Sequence, residues 1–291
     1  MDRADDRDAR RHLAPPLLPR RRTRPTALTT AFVLAFACAA ALAGPVTAHA
    51  DEAGGVDEIT VPRDDVSGFG GGTIFAPQMS AGTKLGAVVV TPGYGDTQAD
   101  MRWYGTDLAA AGFVVFTIDT NGTQDPPQAR ADEMLAASDY LTGSSAAAGE
   151  IDPDRVAELG YSMAGGGVLA AAEARHTLKA VIALMPFDVR VDYRAVTTPS
   201  LIITGQSDHV AFPFLMGKRM YRSLPAATPK QYLELRGAGH GAGERIPNDT
   251  IRSTVTTFLD RYLNDDESAA ARICPAPAAT GPISASLSHC G

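Results

Sequence analysis

The chain has 291 residues, with 26 Lys and Arg against 33 Asp and Glu and a net charge of −7. Its first fifty residues hold eight Arg and four Asp, so residues 51–291 balance at −11, a surface that repels phosphate backbones and argues against a nucleic-acid partner. Those 241 residues suffice for one α/β domain with a sizeable core.

Arg20-Arg21-Arg22-Thr23-Arg24 precedes an uncharged, Ala-rich run from Ala27 to Leu42, and Ala48-His49-Ala50 has the small-x-small form of a cleavage site. Residues 1–50 therefore read as a secretory signal peptide with a long basic lead, removed after Ala50, and residues 51–291 as the exported, extracellular domain. The sixteen-residue apolar run is short of the ~20 needed to span a bilayer, so no stable membrane anchor is expected. Cys38 lies inside that run, after Phe36, and reads as signal packing rather than a lipid attachment site.

Two short runs open the exported part, Glu58 to Val61 and Gly72 to Phe75, separated by the turn-rich segment Asp64 to Gly71; they predict an antiparallel edge hairpin. Apolar strand-like runs follow at Gly86 to Thr91, Phe113 to Asp119, Val156 to Tyr161, Ala180 to Met185, Ser200 to Thr204 and Gln231 to Leu235. Helix-compatible segments alternate with them at Met101 to Ala111, Gln128 to Leu141, Val168 to Ala174, Leu215 to Leu224 and Thr250 to Leu263. Runs such as Ala87-Val88-Val89-Val90 are apolar on both faces, as in a mostly parallel sheet covered by helices on both sides. The tail is rich in Pro, Gly and Ser and has little with which to hold itself by core burial. Its cysteines, Cys274 and Cys290, read as a disulfide in an exported protein, worth roughly 3 kcal/mol by loop closure. A metal site is the alternative, but with only His289 nearby the ligands are too few.

Chemistry in such a sheet collects beyond the carboxyl ends of the strands. There the chain places, in order, the glycine-rich turn Pro92-Gly93-Tyr94-Gly95-Asp96, then Ser162 within Gly160-Tyr161-Ser162-Met163-Ala164, Asp208, and His240. Ser162 between small residues, where a strand-like run meets a helical one, has the form of a nucleophile elbow; an incidental serine in a glycine-rich loop is the plainer reading. Serine, acid and histidine in that order match an α/β-hydrolase triad, in which the imidazole takes the serine proton and the carboxylate orients the imidazole. Asp188 is a second choice for the acid; His176 and His209 are poorly placed as bases. The backbone N–H groups of Met163 and Tyr94 are the expected oxyanion donors. No metal or other cofactor is expected, since this chemistry needs none, and acidic runs such as Asp265-Asp266-Glu267 read as solvated.

Beyond the triad, the chain resembles the bacterial, actinobacterial-type cutinases and polyester hydrolases. The resemblance rests on Val66-Ser67-Gly68-Phe69-Gly70-Gly71-Gly72, Pro92-Gly93-Tyr94, Asp119-Thr120-Asn121, Gly160-Tyr161-Ser162-Met163, Asp208 to Ala211, Tyr232 through His240, Phe258 to Asp266 and the paired cysteines. It implies an α/β-hydrolase without a lid, acting through Ser162, Asp208 and His240 with Tyr94 and Met163 as oxyanion residues. It also implies a shallow cleft bordered by Tyr94, by Val210, and by Phe187 where the group usually has tryptophan. Three further departures are Tyr161 for histidine or tryptophan, Ala164 for glycine, and Phe212 for proline. The expectation is a secreted monomer whose partner is an ester or polyester substrate; a lipase or general carboxylesterase with little polymer activity is the alternative.

Overall fold

The computed structural model describes residues 55–78 and 82–290; the leader expected over residues 1–50 lies outside them. The sheet begins with β1 (Val56–Val61) and β2 (Gly72–Pro77), an antiparallel pair in register from Val56↔Pro77 to Val61↔Gly72. Next come β3 (Leu85–Thr91), β4 (Val114–Ile118), β5 (Ile151–Tyr161), β6 (Ala180–Leu184), β7 (Ser200–Gly205), β8 (Lys230–Leu235) and β9 (Ile283–His289). They form one nine-stranded sheet in the order β1-β2-β4-β3-β5-β6-β7-β8-β9. From β4 to β8 all neighbours are parallel, while β2 meets β4 and β9 meets β8 antiparallel.

Why the central strands read as unbroken apolar runs is visible in β3. Val88 and Val90 point into one core, with Phe75, Tyr104, Leu108, Val255 and Phe258, while Ala87 and Val89 point into the opposite one, with Phe116, Ala137 and Leu141. Alternating side chains face opposite sides, so a strand covered on both faces must be apolar at every position. Each fully buried valine contributes about 1.5–3 kcal/mol. Helices α1 (Arg102–Ala110) and α5 (Asp249–Leu263) supply the first layer; α2 (Pro127–Gly143), α3 (Met163–Ala174) and α4 (Gly217–Ser223) supply the second. On α5, Ile251, Val255, Phe258, Leu259 and Leu263 repeat at helical spacing, and the Asn248 side chain caps its first turn by accepting from Thr250 and Ile251 N–H.

The architecture is α/β-hydrolase, a mostly parallel sheet layered on both faces, and among the described residues no helix or strand is inserted between β6 and β7. Three local differences from the sequence reading have physical causes. The hairpin lies at the edge, but only β1 is the outer strand, because β2 also pairs with β4. Helix α3 starts at Met163, five residues before Val168, and its glycines are at packing contacts rather than in a loop: a Cβ on Gly165 would meet Pro186 Cα at 2.8 Å, and one on Gly166 would meet Asp188 Cβ at 2.7 Å. The tail is held by more than its cysteines. Beside the Cys274–Cys290 disulfide and a further helix, α6 (Glu267–Ile273), β9 pairs along the length of β8 from Lys230↔His289 to Leu235↔Ile283.

One core position breaks the apolar rule. Glu158 on β5 is fully buried, accepts from Ser138 Oγ at 3.0 Å through Oε1, and has no hydrogen-bond donor at Oε2. Burial pushes its carboxyl up to about 8. A carboxyl raised on folding binds its proton more tightly in the native state, so stability falls as pH rises from the ordinary carboxylate range through about 8. Glu158→Gln, which keeps the shape and removes the ionisation, is expected to raise Tm at pH 9 while changing it little at pH 5; thermal melts of both proteins across that range check this, and equal shifts at the two pH values would refute it.

Candidate active site

The chain runs from β3 to β4 on one side and then crosses to β5 on the other side of β3, so the sheet order reverses at the carboxyl ends of β3 and β5. Such a reversal opens a crevice there. The turn after β3 and the turn after β5 meet in it. A Cβ on Gly93 would lie 3.0 Å from Ser162 Cβ and 2.9 Å from the Tyr161 ring, so only glycine lets the Pro92–Tyr94 turn come this close.

Ser162 itself has φ 55° and ψ −115°, a backbone conformation that L residues seldom adopt. The turn is tight because a Cβ on Gly160 would fall 2.1 Å from the carbonyl oxygen of Ala164. Hydrogen bonds fix it: Ser162 N–H donates to Leu184 O at 2.9 Å, and Ser162 O accepts from Gly165 N–H at 2.9 Å and Phe187 N–H at 2.8 Å. Met163 begins α3, and the first N–H groups of a helix have no acceptor within it. Ala164 is fully buried in the core on the α2/α3 side, which accommodates its methyl group.

The structure brings Ser162, His240 and Asp208 into one hydrogen-bonded line. Ser162 Oγ lies 2.9 Å from His240 Nε2, and His240 Nδ1 lies 2.7 Å from Asp208 Oδ2. The other Asp208 oxygen accepts from the N–H groups of Val210 and Ala211, both at 2.8 Å. Burial alone would raise this carboxyl; the His240 hydrogen bond and the two N–H donors outweigh it and hold Asp208 below the usual carboxylate range. An ionised carboxylate at Nδ1 favours the tautomer that leaves Nε2 free to accept the serine proton.

Asp188, the second choice for the acid, is engaged elsewhere: it accepts from Tyr193 Oη at 2.6 Å, from Gln128 Nε2 at 3.2 Å and from Arg190 N–H at 2.9 Å. Phe187 is half-buried on the loop after β6, while Tyr94 and Val210 are exposed on the loops after β3 and β7. His209 stacks edge-on against Phe212.

Two residues to which the sequence alone assigns no role shape this site. Tyr161, next to Ser162, donates its hydroxyl to the backbone carbonyl of His240 at 2.8 Å and lies 3.3 Å from Glu244 Oε2. Burial, followed by the charges of Glu244 and Asp96, pushes the Tyr161 phenol upward, so it remains a donor. The loop bearing His240 is tied down further by Trp103 Nε1 and Tyr104 Oη, which donate to Gly243 O, and by Arg245, which pairs with Asp96 at 3.0 Å and Asp100 at 2.7 Å. The signal available in the sequence was an aromatic hydroxyl one residue before the elbow, in a strand that places it opposite its neighbours.

Arg130 on α2 is the second. It is fully buried, and its guanidinium donates to Pro92 O at 2.9 Å, Thr123 O at 2.7 Å and Asp125 O at 2.8 Å. Since Gly95 N–H also donates to Thr123 O at 2.8 Å, Arg130 braces the turn that carries Tyr94 from beneath. Reading Gln128 to Leu141 as helix-compatible leaves the burial of Arg130 open; the apolar Ala131 and Met134 beside it are the hint.

Tyr161→Phe is expected to lower kcat about three- to tenfold, the worth of one neutral hydrogen bond of about 0.7–1.4 kcal/mol, with KM little changed; steady-state kinetics on a soluble ester check this, and an unchanged kcat would refute it. Ala164→Gly is expected to lose about 1 kcal/mol of stability, the cost of glycine inside a helix, and to retain ester hydrolysis; denaturant titration alongside an ester assay tests both halves.

The family profile described as PETase, PET hydrolase-like, matches residues 29–291. Among curated proteins the chain is 40% identical over 222 residues to the bis(hydroxyethyl) terephthalate hydrolase of Streptomyces coelicolor, a match covering 76% of this chain and 71% of that protein. It is 42% identical over 224 residues to Cutinase est2 of Thermobifida alba and to Cutinase 2 of Thermobifida cellulosilytica, covering 76% of this chain and 74% and 84% of theirs. With the α/β-hydrolase sheet and a serine, histidine and aspartate aligned at its crevice, these similarities make the chain a member of the PET hydrolase-like family of ester hydrolases.

Proposed function

We infer that the protein is an exported serine hydrolase that cleaves carboxylic esters, cutinase-like polyesters among them, through an acyl-enzyme on Ser162. The observation that carries this reading is the unbroken line from Ser162 Oγ through His240 to Asp208, with contacts of 2.9 and 2.7 Å. Ser162 Oγ attacks the ester carbonyl carbon while its proton passes to His240 Nε2, and the N–H groups of Met163 and Tyr94 stabilise the resulting oxyanion. Collapse breaks the bond to the leaving oxygen, which takes the proton from His240 and departs as the alcohol. Water then attacks the acyl-enzyme, returning a proton to His240; the acid is released and the Ser162 hydroxyl restored.

Supporting the polyester reading are the names of the similar proteins, a bis(hydroxyethyl) terephthalate hydrolase and several cutinases. Tyr94 and Val210, both more than half exposed, with half-buried Phe187, offer an apolar border to an acyl chain or ring. Export agrees with the charge and cleavage pattern of residues 1–50, and among the described residues no helix is long and apolar enough to cross a membrane. Phenylalanine at position 187 is also the observation that favours a second reading, a general carboxylesterase, since it presents less flat area than an indole and lacks its N–H donor.

Labelling with a fluorophosphonate, followed by peptide mapping, is expected to modify Ser162 and to abolish hydrolysis; a labelled protein without modification at Ser162 would overturn the assignment. Asp208→Asn, which keeps the size of the side chain and removes its charge, is expected to lower kcat by on the order of 10³–10⁴ with the fold intact. The two readings separate on substrates: hydrolysis of p-nitrophenyl butyrate together with polycaprolactone film supports the polyesterase, and hydrolysis of the soluble ester alone supports the carboxylesterase.

A further inference from the structure

Among the described residues, eight large apolar side chains are exposed, and they are not scattered. Leu287 is on β9; the other seven stand on loops that follow the carboxyl ends of β3, β6, β7 and β8, the end of the sheet that holds Ser162. Four of them, Val210, Phe212, Phe214 and Leu215, belong to the single loop between β7 and α4. Isolated exposed apolar residues are ordinary, but a contiguous group marks a contact surface.

This loop is built to keep those side chains outward. Leu215 and Met216 N–H both donate to Phe212 O, at 3.0 and 2.9 Å, closing a turn around Pro213. Beneath, Ala211 is buried and Met216 packs on the core with Met220 and Tyr221. Above, Phe214 is 63% exposed and Leu215 41%, and Phe212 and Phe214 stack edge-on with centroids 6.1 Å apart. From His209 to Gly217 the chain carries no Lys, Arg, Asp or Glu. The result is an uncharged, largely aromatic ridge, Phe212 to Leu215, that begins four residues after Asp208.

Charge narrows the choice of occupant. Residues 51–291 balance at −11, so the domain as a whole is repelled by an anionic lipid surface and by a second copy of the same chain. An uncharged apolar solid is not. Such a solid cannot diffuse into a cleft; the enzyme must stay on it while a chain segment is drawn past Ser162, and apolar area removed from water supplies that residence without regard to register.

We propose that the ridge formed by Phe212, Phe214 and Leu215 is a docking surface for the face of a solid polyester, holding the enzyme on the polymer beside the cleft. It rests on the polyesterase reading of the Ser162 site, and it adds a function that a soluble ester does not engage. Phe214 and Leu215 are outside the catalytic line, so the two activities separate.

The test is the double variant Phe214→Ser/Leu215→Ser. Adsorption to polycaprolactone film is measured with both forms carrying Ser162→Ala, so that binding is read without turnover; kcat/KM on p-nitrophenyl butyrate, film hydrolysis and Tm are measured with Ser162 present. The expected result is a fall of about tenfold in film affinity, equivalent to about 1.4 kcal/mol, with a matching loss of film hydrolysis and the soluble ester rate held within about twofold. Unchanged adsorption overturns the proposal, as does a parallel loss of soluble-ester activity and Tm, which would make the ridge part of the fold. Loss of binding to neutral or anionic phosphatidylcholine-based vesicles exceeding the loss on film would assign the ridge to lipid, and a wild-type dimer that the variant dissolves would assign it to a second copy; either overturns the polymer assignment. Should the wild type adsorb but leave the film intact, the polyesterase reading fails, while the difference in adsorption still decides the ridge.

Discussion

The backbone of Ser162 is the constraint on which the rest of this molecule depends. A non-glycine residue at φ 55° costs on the order of 1–3 kcal/mol and persists only where its surroundings over-determine it. Those surroundings are drawn from three strands: Ser162 directly follows β5, its N–H is held by the last residue of β6, and its carbonyl is held by α3 and by Phe187 beyond β6, while Gly93 beyond β3 closes from the other side. Missing methyl groups at Gly160, Gly93, Gly165 and Gly166 are what let these elements converge. The strain and the close packing are two aspects of one arrangement, since relaxing either would move the serine hydroxyl off the imidazole.

Polar groups buried around this point fall into two kinds. Arg130, Tyr161, Trp103 and Tyr104 donate to backbone carbonyls of the loops that carry Tyr94 and His240, so side chains on strands and helices position segments that have no regular structure of their own. Each such donor is shielded from competing water, which strengthens the bond and makes its loss costly. Glu133, one turn after Arg130, belongs with them: it accepts from Asn121 N–H at 2.9 Å, and burial pushes its carboxyl up to about 7. Glu158 is of the other kind, an acid in the core with one donor and no role at the crevice. Its presence lowers stability at alkaline pH without touching the line of Ser162, His240 and Asp208.

Much of this was legible in the sequence, for reasons tied to particular residues. The run Ala87 to Val90 has no polar position, which marks a strand buried on both faces, and once the strands are known the chain order of Ser162, Asp208 and His240 places all three at one end of the sheet. Helix α3 was read too short because glycine is a poor helix former, and only the approach of Pro186 and Asp188 explains why three glycines begin a helix. Arg130 and Tyr161 leave only faint signals in the sequence because their effect lies in which carbonyls they reach, and that depends on loops distant in sequence. The ridge after β7 was equally hidden; Phe212, Phe214 and Leu215 have the composition of core, and only the fold shows that they stand exposed.

The Pro, Gly and Ser content of the tail conceals a strand, and β9 gives that content a meaning. Without β9, the strand β8, with its aromatic and leucine residues Tyr232, Leu233 and Leu235, would present an open row of N–H and C=O groups, which is a template for aberrant pairing between chains. β9 covers that row and substitutes an outer strand in which every second residue is serine; Ser284 turns back to Glu234 O at 3.1 Å and Ser286 to Pro277 O. The disulfide keeps this guard strand in place. Its loss would therefore first be felt as a gain in intermolecular stickiness along the strand leading to His240, visible as light scattering from a protein whose remaining soluble fraction still turns over substrate.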